Sequence, residues 1–183
     1  RHPERVSHLI LMNPAPVSVS DLSLFRKVYA QQLGADLDRQ REIAAGAAYQ
    51  RGDPEAVTAR YRLHFKHALE RPADYEKLMT AMHAGFLAQG SEGIVKARAV
   101  EDRLYVDTWD VDGYDLLPRL NALKIQTLVI SGEHDFIPPE IAARIARAIP
   151  GARFEMIRNC GHFAYLERPT EVHRALNEFF PRP

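Results

Sequence analysis

The apolar positions of this chain follow two different rhythms. Three short runs are continuous or alternating: residues 6–12 (VSHLILM), 124–131 (KIQTLVIS) and 152–158 (ARFEMIR). Runs of this length, aliphatic or β-branched and stopped by Asn13-Pro14 or Gly132, read as strands. In the third, Phe154 and Met156 fall on one side. Between the second and third lies IPPEIAARIARAIPG, where Pro138 and Pro139 open a helix and Pro150-Gly151 ends it. After the third, RPTEVHRALNEFF starts a helix at Pro169, with Val172, Leu176, Phe179 and Phe180 on one face. Strand, helix, strand, helix at these lengths predicts a parallel α/β unit.

The middle of the chain has no comparable strand. Residues 20–50, 54–70, 72–84 and 91–104 carry helical spacing instead, with Asp53 before Pro54 and Ser91 before Glu92 as N-caps. Val57, Tyr61, Phe65 and Leu69 recur every four residues, which gives that helix one apolar face. No internal repeat or low-complexity stretch interrupts the pattern. The expected layout is an α/β core of residues 1–16 and 119–183 carrying a helical cap of residues 17–118. Such an excursion is expected over the C-terminal ends of the strands, where open parallel sheets bind their ligands.

Composition narrows the partners. The 183 residues suffice for one domain with a real core. There are 24 basic and 24 acidic side chains without a block of either sign, which speaks against nucleic acid or an anionic membrane as partner. No apolar run is long enough to span a bilayer, and the start has no signal-peptide pattern. The single cysteine, Cys160, excludes an internal disulfide framework and suits a reducing compartment, so the cytoplasm is the expected setting. The chain opens without Met on RHPERV and passes at once into an apolar strand. It therefore reads as the later part of something longer. Were it to fold alone, that strand would be an exposed edge, and a homodimer concealing it is the expected arrangement.

Two loops carry the candidate chemistry. Asp135 follows the second strand in SGEHDFIPPE, and His162 follows the third in RNCGHFAYLERP. If those strands are parallel neighbours, both loops leave the sheet at one edge and the two side chains can meet. The carboxylate would then hold one imidazole nitrogen and leave the other to take a proton from a nucleophile. Gly132 and Gly161 let the backbone turn sharply beside each.

Gly132 with Asp135, then a helix, then Gly161 with His162 and Glu167-Arg168-Pro169, resembles the C-terminal third of an α/β-hydrolase. HPERVSHLILMNPAP at the other end resembles the segment after the nucleophile helix in that family. Within it, the chain is similar to proline iminopeptidase-like, esterase-like and carbon–carbon-bond-cleaving members. The resemblance implies a hydrolase acting on an ester, amide or related carbonyl compound through a Ser-His-Asp triad, with no metal or organic cofactor and a small molecule as substrate. His162 would be the general base and then acid, and Asp135 its orienting partner. The family's G-x-S-x-G elbow is missing: Ser7, Ser18, Ser20, Ser23, Ser91 and Ser131 all lie outside any such pattern. The nucleophile and oxyanion-hole donors are thus expected upstream, and these residues alone are expected to be inactive. Two alternatives stay open, an upstream Asp nucleophile as in dehalogenases and epoxide hydrolases, or a non-catalytic ligand-binding module.

Neighbouring residues complete the expectations. Glu133 is the rival acid, and His134 a solvated neighbour. Asn13 and Phe163 are candidate substrate contacts, bordering the site from the first strand and from beside His162. Cys160 lies too close in sequence to His162 to aim its sulfur at the ring, so a small buried residue is expected. His64 and His67 lie on a helix without a matching acidic or thiol ligand, which predicts a solvated face rather than a metal site.

Overall fold

The computed structural model describes residues 2–180. A 3-10 turn (Pro3–Arg5) precedes strand β1 (His8–Met12). Five helices follow: α1 (Val19–Leu33), α2 (Asp36–Ala45), α3 (Ala47–Gln50), α4 (Pro54–His64) and α5 (Pro72–Asp107). The chain ends with α6 (Leu117–Asn121), β2 (Gln126–Gly132), α7 (Pro139–Ala148), β3 (Arg153–Ile157), α8 (Ala164–Glu167) and α9 (Pro169–Phe179).

The strands form one parallel sheet in the order β1-β2-β3. Central β2 is buried at every position after Gln126, as its unbroken apolar run requires of a strand covered on both faces. Alternation sends Leu128 and Ile130 to one face and Val129 to the other. Leu128 and Ile130 pack with Ile157, Ala164, and Val172 and Ala175 of α9. Val129 packs with Ile141, Ala142 and Ile145 of α7. Phe179 joins the first of these clusters, whereas Phe180 lies beyond the helix and is exposed.

The described residues divide into two compact units. The first takes the chain up to Val28, Ala68–Glu70, and the chain from Gly113 on. The second comprises Tyr29–His67 and Arg71–Asp112. Residues 17–28, helical as expected, pack with the sheet: Leu24 and Phe25 lie against the α7 cluster. Fully buried Asp21 pairs with Arg144 of α7 at 2.5 Å.

In the second unit, Tyr49, Val57 and Ile94 make a buried cluster with Ile43, Tyr61 and Phe86 around it. Asp53 caps α4 by accepting a hydrogen bond from the Ala56 N–H at 3.0 Å. The helical run expected over 20–50 is broken near Gly34, whose φ of 52° suits glycine, and again at Gly46. The two helices expected over 72–104 form α5, interrupted at Gly90 with φ 67°, so that Ser91 lies within the helical run. The expected 54–70 helix stops at His64, because Ala68–Glu70 belong to the first unit. Among the described residues no helix is long and apolar enough to cross a membrane.

Removing side-chain volume at the centre of β2 leaves a cavity on both lost contacts and lost transfer energy. Ile130→Ala should destabilise the chain by about 2–5 kcal/mol in urea unfolding. Leu87→Ala, at a position 56% exposed, should stay within about 0.5 kcal/mol.

Candidate active site

Because β2 and β3 are parallel neighbours in the register Gly132↔Ile157, the loops that follow them leave the sheet side by side. Their backbones are laced together. Glu133 N–H donates to Ile157 O and His134 N–H to Cys160 O, each at 2.9 Å. A Cβ on Gly132 would lie 2.0 Å from Gly161 O, so no side chain fits where the turns cross.

This crossing brings Asp135 and His162 together. Imidazole Nδ1 donates to Asp135 Oδ1 at 2.9 Å. An ionised carboxylate only accepts, so the shared proton sits on Nδ1, and Nε2 lies outside this bond. Asp135 accepts two further bonds, from Ile137 N–H to Oδ1 at 2.9 Å and from Asn13 Nδ2 to Oδ2 at 2.7 Å. Both oxygens are thereby fixed. The Asp135 side chain is 2% exposed and that of His162 is 19%, which leaves the imidazole the accessible member of the pair. The rings of Phe136 and Phe163 meet it edge-on, with centroids 4.7 and 5.1 Å away.

The geometry also places the remaining sequence candidates. β1 pairs with the other side of β2, so Asn13 emerges at the same edge, and its N–H donates to Ile130 O. It adopts φ 48°, a conformation that Asn tolerates better than most residues. Asn13 is buried, with its amide turned to Asp135. Phe163 is half-buried beside the His162 ring. Glu133 accepts from the Asn159 N–H at 2.9 Å, and so braces the turn beside Asp135. His134 Nδ1 donates to Glu70 Oε1 at 2.8 Å.

Cys160 is fully buried. Burial, with the Glu167 carboxylate nearby, pushes its thiol up to about 12. His64 Nδ1 lies 2.6 Å from the Tyr29 hydroxyl, and His67 is exposed.

Three parts of the site went unrecognised in the sequence. Phe136 walls the ring. Ala68 O accepts the His162 N–H at 2.7 Å. Glu167, 2% exposed, accepts from Gly161 N–H on Oε2 and from Glu70 N–H on Oε1, both at 2.7 Å. Glu167 had a signal, an acidic residue just ahead of a Pro-initiated helix; Ala68 had none.

With the fold and this geometry in place, comparison with known proteins assigns the family. The model of the alpha/beta hydrolase fold matches residues 1–169, and the chain belongs to that family. It is 23% identical over 181 residues to a proline iminopeptidase of Lactobacillus crispatus, an alignment covering 97% of this chain and 58% of that protein. Over 70 residues it is 34% identical to a 2-hydroxy-6-oxononadienedioate/2-hydroxy-6-oxononatrienedioate hydrolase of Escherichia coli, covering 38% of this chain and 24% of that one. The crystal structure of an enol-lactonase from Burkholderia xenovorans superposes with a TM-score of 0.56 at 21% identity, over 98% of this chain and 58% of the other. The chain thus spans less than two thirds of the length of these relatives.

Asn13→Ala should destabilise the chain by about 1–3 kcal/mol in chemical denaturation, since it strips a donor from a buried carboxylate. Cys160 should resist alkylation by iodoacetamide at pH 8 in the native protein and react promptly once urea unfolds it.

Proposed function

We propose that this chain supplies the base, the acid and the cap of a hydrolase that cleaves an ester, amide or related carbonyl bond. The single observation that carries the proposal is the Asp135–His162 hydrogen bond, which joins a buried carboxylate to Nδ1 of a partly exposed imidazole and leaves Nε2 outside the bond. In the reaction, Nε2 takes the proton of a serine hydroxyl as its oxygen attacks the carbonyl carbon. Asp135 stabilises the resulting imidazolium without accepting its proton. The imidazolium then protonates the leaving group, and an acyl-enzyme forms. Nε2 next deprotonates a water that attacks the acyl carbon and returns the proton to the serine, releasing the acid. Neither a metal nor an organic cofactor enters these steps.

None of the six serines lies in a G-x-S-x-G elbow, and Ser131 is wholly buried within β2. We therefore assign the nucleophile and the oxyanion donors to a segment upstream of this chain, and regard these 183 residues alone as inactive. The second compact unit is proposed as the cap, with the substrate a small carbonyl compound. The names of the relatives, an iminopeptidase, an oxononadienedioate hydrolase and an enol-lactonase, support that breadth without choosing among them. The lone, buried thiol fits a cytoplasmic setting.

Fluorophosphonate labelling of the complete protein, followed by peptide mass spectrometry, tests the reading. A labelled serine outside these residues is expected. His162→Ala should abolish the label and lower hydrolysis of a nitrophenyl ester by on the order of 1,000-fold or more. A folded protein that takes no label would sink the serine mechanism, and unchanged hydrolysis by His162→Ala would remove this histidine from it.

A further inference from the structure

We propose that Glu167 is a positioning residue for His162, acting through a clasp that it forms with the span Ala68–Glu70. The proposal rests on the acid–base reading above, although its test does not.

The clasp holds the backbone from which the imidazole projects. Gly161 N–H and His162 N–H are consecutive peptide donors on the base turn. The first is taken by Glu167 Oε2 and the second by Ala68 O, each at 2.7 Å. The span that supplies Ala68 O is itself fixed by Glu167, whose other oxygen accepts the Glu70 N–H at 2.7 Å. One buried carboxylate thus binds both the turn and the segment that binds the turn. The fit admits nothing further: a Cβ on Gly161 would lie 2.2 Å from Ala68 O. The Glu70 side chain then reaches His134, the residue before Asp135, at 2.8 Å, so the same span touches the acid turn too.

The requirement is for a carboxylate. Two separate N–H donors need two acceptor oxygens, and a charged acceptor makes the stronger bond. Gln has one oxygen and an amide donor, so it would satisfy one peptide and oppose the other. The Asp135 carboxylate is held by donors of its own. The His162 ring bonds that carboxylate and meets phenyl rings edge-on, while the backbone that sets where the ring starts is held by Glu167 and Ala68. Displacements on the order of 1 Å in such a group cost about 100-fold in rate.

The test is read on the imidazole. In nuclear magnetic resonance spectra of the complete protein, the low-field Nδ1 proton of His162 reports its bond to Asp135. Glu167→Gln should remain folded by circular dichroism and lose that resonance, or speed its exchange with water at least tenfold. Glu167→Asp, which keeps both oxygens, should recover part of it. In the complete protein Glu167→Gln should lower kcat and leave KM unchanged. A folded Glu167→Gln protein with an unaltered Nδ1 proton would overturn the proposal. A second measurement needs no variant: the Gly161 and Glu70 amides of the unsubstituted complete protein should be protected from hydrogen exchange at least 100-fold, and free exchange at either would also overturn it. If His162→Ala kept full activity in the complete protein, the hydrolase mechanism would fall while the clasp could still be read from the proton.

Discussion

Parallel pairing of β2 with a strand on each side is the constraint on which the rest of this structure depends. It decides where three loops end. Because β1, β2 and β3 all run the same way, Asn13, Asp135 and His162 arrive at one edge from three distant parts of the chain. An antiparallel partner on either side would have carried its loop to the opposite edge. The helices that cover the two faces are the condition for a strand as apolar as β2 to be central at all. Packing and site geometry are consequences of the same topology.

At that edge the balance of forces changes. Toward the sheet, Leu128, Val129 and Ile130 are buried without polar obligations beyond their own backbone ladders. A few residues further on, Asp135 and Glu167 are buried as carboxylates, which would be costly without partners. Asp135 is met by the Ile137 N–H and by the side chains of Asn13 and His162, and Glu167 by the backbone N–H groups of Gly161 and Glu70. A peptide donor cannot swing away as a side chain can. The turns therefore orient the carboxylates while the carboxylates hold the turns.

The strands, α7 and α9 were legible because apolar periodicity and proline punctuation coincide there. The pairing of Asp135 with His162 was legible for a related reason: two turns following two parallel strands have few places to go. The helical region was read less well. Its helices are divided at Gly34, Gly46 and Gly90, and single glycines within apolar spacing look tolerable until the backbone is seen. Ala68 was invisible, since it contributes a carbonyl and a carbonyl has no sequence signature. Asn13 was placed at the site by its position after β1, but its amide turns to the acid, a direction that no periodicity encodes.

The short span Ala68–Glu70 bears on how this fold tolerates rearrangement. The helical region is written in the chain as one long insertion, yet besides its two ends an internal span, Ala68–Glu70, belongs to the sheet unit. An insertion of that kind is not a detachable module. Exchanging it wholesale for the matching region of a relative would also exchange the carbonyl that accepts the His162 N–H and the amide that donates to Glu167. Recombination within this family is therefore expected to succeed at crossovers on either side of that span, with the three residues kept alongside the turn they contact.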